Sequence, residues 1–322
     1  MNKIFLLALL LGILATGCGK SPNEINFGTG NEAGTYYAYN TRLAEMLHDA
    51  DQNYKFNIRT TAGSVANLRL LREGFLDMAI VQSDILSDAV AGVGIFVSAG
   101  AAQGYAAVAG LYTEACQIIV PKDSAIRSVT DLLGRKVSVG EKESGVLQNA
   151  EEILLAHGLT IEMLDARYLS FTESAAALNS GEIEAFFCTA GAPTKAVTDL
   201  AAKQNLRLIG IAPEVMKNIQ RMFSGYTPCV IPAGTYAAQD SDVSTVGVKA
   251  VLVASVHVPD DEVSRITEFL LENDAAIREA VNIPPALDLD YAVKDIPLAF
   301  HAGAAKFYQT QGLDVKVYSG KK

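Results

Sequence analysis

The chain repeats one short unit along most of its length: a brief apolar run, a turn rich in glycine and polar residues, and an amphipathic helix. Residues 25–28 precede a helix predicted from Thr35 to about Ala50, and residues 78–81 are apolar throughout. Strands that are apolar on both faces are typical of parallel sheets covered by helices. The sequence therefore predicts an α/β fold whose sheets are largely parallel and flanked by helices.

The pattern restarts beyond Tyr105 with a second set of strands and helices, and a strongly apolar strand predicted at residues 248–257 leads back to the first set. A chain of 322 residues is long enough for two lobes that each have a core. We expect lobe 1 to comprise residues 25–112 and 227–322, and lobe 2 to comprise residues 113–226. A ligand cleft would lie between them.

The N-terminus has the features of a bacterial export signal. Lys3 precedes an apolar stretch at residues 4–14 that is too short to span a bilayer, and small residues follow it. The sequence Leu-Ala-Thr-Gly-Cys that ends at Cys18 resembles the lipobox of bacterial lipoproteins, whose cysteine carries a lipid. We expect a signal peptide at residues 1–17, a lipidated linker at residues 18–24, and a periplasmic or cell-surface protein anchored to the membrane through Cys18. An ordinary cleaved signal with an incidental cysteine is the alternative.

The charge distribution argues against some partners. The chain has 36 acidic and 26 basic residues, which give a formal charge of −10, and the basic residues are scattered. Such a surface disfavours nucleic acid and anionic membranes. We expect a monomer that meets the membrane only through its lipid.

The sequence predicts neither a metal site nor a catalytic centre. Cys116, Cys188 and Cys229 lie among apolar neighbours without a C-x-x-C motif, which favours buried, inert thiols over one disulfide with one free thiol. The four histidines lack metal-ligand spacing, and no serine lies in a G-x-S-x-G motif. We expect no cofactor, no metal and no enzymatic activity.

Five turns between a predicted strand and the next helix are rich in Gly, Ser and Thr: residues 28–37, 61–67, 81–84, 140–145 and 189–193. Such turns meet at the ligand site of α/β folds, because the first N–H groups of the helices are unpaired there and the helix dipole is positive. A helix cap is the alternative for any single serine. The first turn lacks the glycine spacing of a dinucleotide-binding motif and the Gly-Lys-Ser/Thr of a P-loop. The turns therefore predict a site for a small polar or anionic ligand.

Several of these phrases together resemble the TAXI family of TRAP transporter solute receptors, in the same order and over nearly the whole mature chain. They include Gly28-Thr29-Gly30 with Gly34-Thr35-Tyr36-Tyr37, Gly63-Ser64-Val65, Val81-Gln82-Ser83-Asp84, Thr189-Ala190-Gly191 and Ile231-Pro232-Ala233-Gly234. The resemblance implies a two-lobed periplasmic-binding-protein fold of type II that closes around a small carboxylate or amino acid such as glutamate or 2-oxoglutarate. It also implies delivery of that solute to the membrane permease of a TRAP-type secondary transporter.

Carried over by position, the resemblance implies ligand contacts at Thr35, Tyr36, Ser64, Asn67, Gln82, Ser83, Ser144, Gly145, Thr189 and Gly191. The sequence departs from the family pattern at Asn31, Glu32 and Ala33, which interrupt the glycines of the first loop, and at Val146, which replaces a hydroxyl. Acidic residues in these loops also oppose an anionic ligand.

Three other functions stay open. A sensory binding protein that signals to a receptor kinase would share the fold and the cleft. An enzyme on a similar two-lobed fold would need a catalytic base, which the sequence does not indicate. A receptor for cations or aromatic amines could use Tyr36, Tyr37 and Tyr39 as an aromatic wall.

Overall fold

The computed structural model describes residues 24–97, 102–284 and 287–320. The predicted signal peptide and Cys18 lie outside these residues. None of the helices in these ranges is long and apolar enough to cross a membrane.

The first part of the chain forms three strand–helix units, as the sequence pattern predicts. A turn separates the strand from the helix in the first two units, with Gly30 and Gly34 in the first turn and Gly63 in the second, while the third helix follows its strand directly. The units are β1 (Glu24–Gly28) with α1 (Thr35–Ala50), β2 (Lys55–Arg59) with α2 (Ser64–Arg72), and β3 (Met78–Gln82) with α3 (Ser83–Ala91).

The middle of the chain continues the alternation with shorter strands. These elements are β4 (Tyr105–Pro121), β5 (Lys136–Ser138), α4 (Gly145–Ala156), β6 (Asp165–Arg167), α5 (Phe171–Ser180), β7 (Ala185–Ala190), α6 (Lys195–Ala201), β8 (Leu206–Leu208) and α7 (Pro213–Met222). Short 3-10 turns occur at Gly94–Phe96, Val129–Leu132 and Ile161–Met163.

The last part of the chain begins with strands and continues into helices, which pack on the first three strand–helix units. It comprises β9 (Thr227–Ile231), β10 (Val243–Ser255), α8 (Asp260–Val281), α9 (Leu289–Val293) and α10 (Ala302–Thr310). Two helices predicted near residues 260–273 and 275–281 form the single helix α8, because Asp274 inside it is buried and paired with Arg278 instead of ending the helix.

The strands join in one mixed sheet in the order β2-β1-β3-β10-β4-β7-β5-β6, with β8 on β4 and β9 on β10. The pairs β1–β2, β1–β3, β5–β6 and β5–β7 are parallel. The pairs that involve β4 or β10 are antiparallel. The sheet is therefore less parallel than the alternation predicts, because β4 carries the chain into the second lobe and β10 carries it back in the opposite direction.

Buried side chains form three apolar clusters. One cluster joins the first three strand–helix units with α8 and α10, and includes Phe27 and Leu252. The other two lie on the two faces of the second part of the sheet. Ile231 of β9 and Val246 of β10 belong to these second-lobe clusters.

The three cysteines in the described part of the chain have free thiols. Cys116 and Cys188 are buried and Cys229 is half-buried. Burial raises the pKa of each thiol, most clearly that of Cys116. Raised pKa values disfavour the thiolate, so these cysteines are poorly reactive.

Candidate functional site

A cavity lies between the two parts of the sheet, where α1, α2 and α4 begin. On the first lobe it is lined by Gly30, Asn31, Gly34, Thr35, Tyr36, Ala62, Gly63, Ser64 and Gln82, with Glu114 at the point where β4 crosses. On the second lobe it is lined by Gly140, Glu141, Ser144, Gly145, Val146, Leu169, Ser170, Phe171, Thr189 and Ala190. The space open to a water-sized sphere is about 50 Å³. A space of this size in the closed form admits only a small molecule.

The first turn of α1 joins both lobes. Thr35 and Tyr36 follow the N-cap residue Gly34 and are both buried. The Thr35 hydroxyl donates to the carbonyl of Gly191 in the other lobe, at 3.1 Å. The Tyr36 hydroxyl donates to Oε2 of Glu114, at 3.0 Å. A ligand in the cavity can therefore contact hydroxyls that already link the two sides.

The turn before α2 positions a second helix N-terminus. Gly63 has φ of +122°, which disfavours any residue with a side chain, and Ser64 is the first residue of the helix rather than its cap. The Ser64 hydroxyl accepts a hydrogen bond from the backbone N–H of Gln82, at 3.1 Å. Ser64 therefore ties the end of β3 to the start of α2 at the cavity wall.

The second lobe supplies the N-terminus of α4. Ser144 caps this helix by accepting from the backbone N–H of Leu147, at 3.1 Å, and donates to the carbonyl of Glu141, at 2.6 Å. Gly145 packs directly on the side chain of Gln82, so that an added Cβ would overlap the Gln82 amide. The amides of Gly145 and Val146 follow the cap in the first turn of α4, where backbone N–H groups have no partner within the helix.

The structure brings most of the predicted contact residues together. Thr35, Tyr36, Ser64, Gln82, Ser144, Gly145 and Thr189 line the cavity. Asn67, Ser83 and Gly191 are not among the lining residues. For all ten predicted residues, contact with a ligand stays a prediction.

The three residues that do not line the cavity hold neighbouring backbone. The Asn67 amide donates to the carbonyls of Thr29 and Ile80, at 2.8 and 2.9 Å. The Ser83 hydroxyl accepts from the backbone N–H of Lys249, at 3.0 Å. The carbonyl of Gly191 accepts from Thr35. These hydrogen bonds fix the backbone next to the cavity, although the three residues do not line it.

Glu114 is a lining residue that the turn-based prediction missed. It lies in the middle of β4, far from any Gly-rich turn, and is 1% exposed. Burial raises the pKa of its carboxyl well above the usual range, while hydrogen bonds from Tyr36 and Gln82 lower it. The sequence did contain a signal, because Glu114 is the one charged residue in an otherwise uncharged 17-residue strand.

The cavity wall is acidic. Besides Glu114 it contains Glu141, whose pKa is raised by burial and by the nearby Glu173. Of the described residues that line it, none is Lys, Arg or His.

Nearby cations are engaged elsewhere. Arg69 pairs with Glu143 at 2.9 Å, and buried Arg278 pairs with Asp274 at 2.6 Å. The Lys249 ammonium donates to the carbonyls of two residues near α9, at 2.9 and 2.6 Å. Lys195 pairs with Asp199 at 2.6 Å, and the Lys142 ammonium lies over the ring of Tyr168. Among the described residues, no cation is paired with Glu114 or Glu141.

Hydrogen bonds across the cleft hold the lobes closed. The backbone N–H of Ala66 donates to the carbonyl of Glu143, at 3.0 Å, next to the Arg69–Glu143 ion pair. On the far side of the cavity, the backbone N–H of Ala196 donates to the carbonyl of Ala33, at 3.2 Å. The structure is therefore a closed form in which both rims of the cleft are in contact.

Comparison with protein families assigns the chain to one of them. The profile of the NMT1-like family matches residues 27–312, which is most of the chain. The chain belongs to the NMT1-like family.

Solved structures resemble this NMT1-like protein over most of its length at low identity. PhnD1 from Prochlorococcus marinus, in complex with methylphosphonate, is 14% identical, with 81% of this chain and 91% of that chain covered and a TM-score of 0.53. XAC2383 from Xanthomonas citri, bound to ATP, is 12% identical, with 89% and 98% covered and a TM-score of 0.50. The periplasmic aliphatic sulphonate binding protein SsuA from Escherichia coli is 14% identical, with 94% and 96% covered and a TM-score of 0.45.

These likenesses concern the fold. The sequence prediction of an α/β, two-lobed periplasmic-binding-protein-like fold is confirmed, with a mixed sheet in place of a largely parallel one. The ligands named for the relatives differ, so the fold of the NMT1-like protein does not by itself specify its solute.

A second polar cluster of the NMT1-like protein crosses the cleft outside the cavity. Asp84 of α3 accepts from the side-chain amide of Asn149 in α4, at 2.6 Å, and the same amide contacts the Tyr226 hydroxyl, at 2.7 Å. Tyr226 donates to Glu152, at 2.5 Å. Burial raises the pKa of Asp84 to about 7 and that of Glu152 to about 8. The closed form therefore favours protonated carboxyl groups at this cluster.

Proposed function

We propose that this chain is an extracytoplasmic solute-binding receptor that captures a small solute between its lobes and delivers it to a membrane permease. The observation that carries the proposal is the closed cavity, whose wall combines residues of both lobes with the N-termini of α1, α2, α4 and α5. Most lining residues are small, hydroxylated or amide-bearing, which suits reversible binding of a polar molecule. In this function the protein binds its solute without catalysing a reaction.

The proposed mechanism is lobe closure. A ligand that contacts both sides favours the closed form by its difference in affinity for the two forms. The crossing strands β4 and β10 are the hinges, where Thr113 pairs with Lys249 in the sheet. We propose that lobe 1 comprises residues 24–112 and 250–320, and lobe 2 residues 114–248. The packing of Ile231 and Val246 with the second-lobe clusters supports a return to lobe 1 later than the expected residue 227.

For the transporter, we propose a TRAP-type secondary transporter of the TAXI kind. The support is the series of phrases shared with TAXI receptors along the chain. Lipid anchoring through Cys18, with a periplasmic or cell-surface location, is part of the same proposal. A receptor that feeds an ABC transporter or a sensor kinase would share the cleft. Solute uptake that depends on an ion gradient would support the TRAP partner, and uptake that follows ATP hydrolysis would exclude it.

For the solute, we propose an amino acid such as glutamate. Helix N-termini favour a carboxylate, while the acidic wall disfavours a molecule with negative charge alone. A 2-oxo acid such as 2-oxoglutarate fits the helix N-termini but not Glu114 and Glu141.

A thermal-shift screen tests the receptor function. Protein that lacks residues 1–18 is unfolded and refolded to remove any ligand retained during purification, and is then screened against amino acids, 2-oxo acids, amines and sugars. A ligand that binds only the folded state adds about 2.7 kcal/mol to the free energy of unfolding at 100 times its Kd. It therefore raises the melting temperature. If the released material contains no small molecule and no compound shifts the melting temperature, the receptor function is wrong.

The cross-lobe hydroxyl of Thr35 gives a site-directed test. Thr35→Val removes its hydrogen bond to Gly191 in the closed form. A neutral hydrogen bond contributes about 0.5–1.5 kcal/mol, so affinity for a ligand found in the screen is expected to fall roughly 2- to 12-fold. Thr198→Val on the exposed face of α6 is the matched control. Equal affinities for wild type and both variants would remove Thr35 from the site.

A further inference from the structure

Glu114 places a carboxylate at the cavity wall without a cation to balance it. Its side chain is almost fully buried, and Tyr36 donates one hydrogen bond to Oε2 at 3.0 Å. The nearest cations described above, Arg69, Lys249 and Arg278, are bound to other groups. A buried carboxylate is strongly disfavoured unless a cation or several donors compensate it. The cavity therefore favours a ligand with a positive charge near Glu114.

Gln82 adds a second acceptor to the same cavity. It is 2% exposed, and its Oε1 has no hydrogen-bond partner in the closed form. Buried polar atoms of folded proteins have a partner in the great majority of cases. A ligand that donates a hydrogen bond to Gln82 would satisfy this oxygen.

We propose that Glu114 and Gln82 form the subsite for the protonated amino group of the solute, and that the solute is an amino acid or another small primary amine. A primary ammonium group has three N–H donors and one positive charge. It can satisfy the carboxylate of Glu114 and the amide oxygen of Gln82 together. This assignment rests on the proposed solute-binding function and selects against solutes that carry only carboxylate or carbonyl groups.

The neighbouring N-terminus of α4 completes a site for an α-amino acid. Gly145 packs on the Gln82 side chain, so the amides of Gly145 and Val146 lie beside the amino-group subsite. Such amides favour a carboxylate. The two subsites are adjacent, as the amino and carboxyl groups of an α-amino acid are.

The test uses pairs of compounds that differ at the amino group: glutamate and 2-oxoglutarate, alanine and pyruvate, ethanolamine and ethylene glycol. Each is titrated calorimetrically into refolded protein that lacks residues 1–18. The amine of at least one pair is expected to bind, and its partner to bind at least about tenfold more weakly. A hydrogen bond to a charged group contributes enough that Glu114→Gln is expected to weaken the amine by roughly 10- to 100-fold.

Glu45→Gln is the matched control, because it removes one negative charge from the exposed face of α1 in the same lobe. Its affinity for the amine is expected to equal that of wild type. Folding of Glu114→Gln is checked by its melting temperature, which should stay at or above that of wild type, since a buried carboxyl group without a paired cation is replaced by a neutral amide. If this variant does not fold, the affinities of wild-type protein for the two compounds of each pair still test the amino-group subsite.

The outcomes separate the subsite from the receptor function. Equal or tighter binding of 2-oxoglutarate, pyruvate or ethylene glycol than of the paired amine overturns the amino-group subsite and leaves the receptor function intact. An unchanged affinity of folded Glu114→Gln for the amine also overturns the amino-group subsite and leaves the receptor function intact. Failure of every compound in these pairs and in the wider screen overturns both proposals.

Discussion

At the scale of single residues, sequence patterns predict some of the residues that line the cavity and miss others. Seven of the ten predicted contacts line it because Gly, Ser and Thr cluster in turns, and turns between strands and helices meet at one edge. Glu114 was missed because it lies within a strand, away from the Gly-rich turns on which the prediction was based, although its charge stands out among apolar neighbours. Asn67 does not line the cavity, because its amide donates to the carbonyls of Thr29 and Ile80, and its predicted contact with a ligand stays a prediction.

The raised pKa of Glu114 predicts proton release when an amine binds. Below its raised pKa the ligand-free carboxyl holds a proton, and an ammonium favours the ionised form, so binding expels that proton. Affinity for the amine is therefore expected to increase as pH rises above the ordinary carboxyl range. Calorimetry in buffers of different ionisation enthalpy measures the proton released. Proton release on amine binding should vanish in Glu114→Gln and persist in Glu45→Gln. If Glu114→Gln also releases a proton, the proton comes from another group.

At the scale of elements, the sequence predicted the strand–helix units well and the long strands poorly. The apolar runs at residues 106–111 and 117–121 predict two separate strands, but they are halves of β4, which continues through Glu114. The polar residues between the halves suggest a loop in the sequence, whereas pairing with β10 keeps them extended. The crossing of the lobes depends on contacts with residues far along the chain, which no local pattern contains.

The start of α4 predicts a variant that folds but does not close. Gly145→Ala places a methyl group where the Gln82 side chain lies in the closed form. Alanine favours a helix by up to about 1 kcal/mol over glycine, so the second lobe should remain stable. We expect an unchanged or higher melting temperature without ligand, and loss of ligand binding.

Thr198→Ala on the exposed face of α6 is the control for this change, because it also introduces an alanine into a helix of the second lobe but outside the cavity. It should bind within a few-fold of wild type. Small-angle X-ray scattering with the ligand should show a smaller radius of gyration for wild type and for Thr198→Ala, but not for Gly145→Ala. Ligand-induced compaction of Gly145→Ala would show that closure does not need this contact.

At the scale of the whole molecule, the cluster across the cleft makes closure sensitive to pH. The pKa of Asp84 is raised from 3.8 to about 7, and that of Glu152 from 4.5 to about 8. Both groups bind protons more tightly in the folded protein than in the unfolded chain, so their stabilising contribution is complete below about pH 4 and is lost as pH rises to about 8. The charged or titratable groups around them are Asp88, Glu114, Glu151 and Tyr226.

We therefore expect the ligand-free protein to be less stable and more open at pH 9 than at pH 6. Asp84→Asn keeps the shape of the side chain and cannot ionise, so it should reduce this difference. Thermal unfolding and scattering at the two pH values measure stability and opening. Asp240→Asn, at an exposed ion pair with Lys122, is the control and should behave as wild type. A pH response of Asp84→Asn equal to that of wild type would assign the effect to other groups.

The position of β10 in the sheet also determines when the first lobe can fold. β10 lies between β3 and β4, yet it is made more than a hundred residues after them. Until residue 255 is available, the facing edges of β3 and β4 have no partner, and such edges favour aggregation. The first lobe therefore cannot be completed from the N-terminus onward during synthesis. Its assembly has to wait for nearly the whole chain, which suits a polypeptide that crosses a membrane unfolded before it folds.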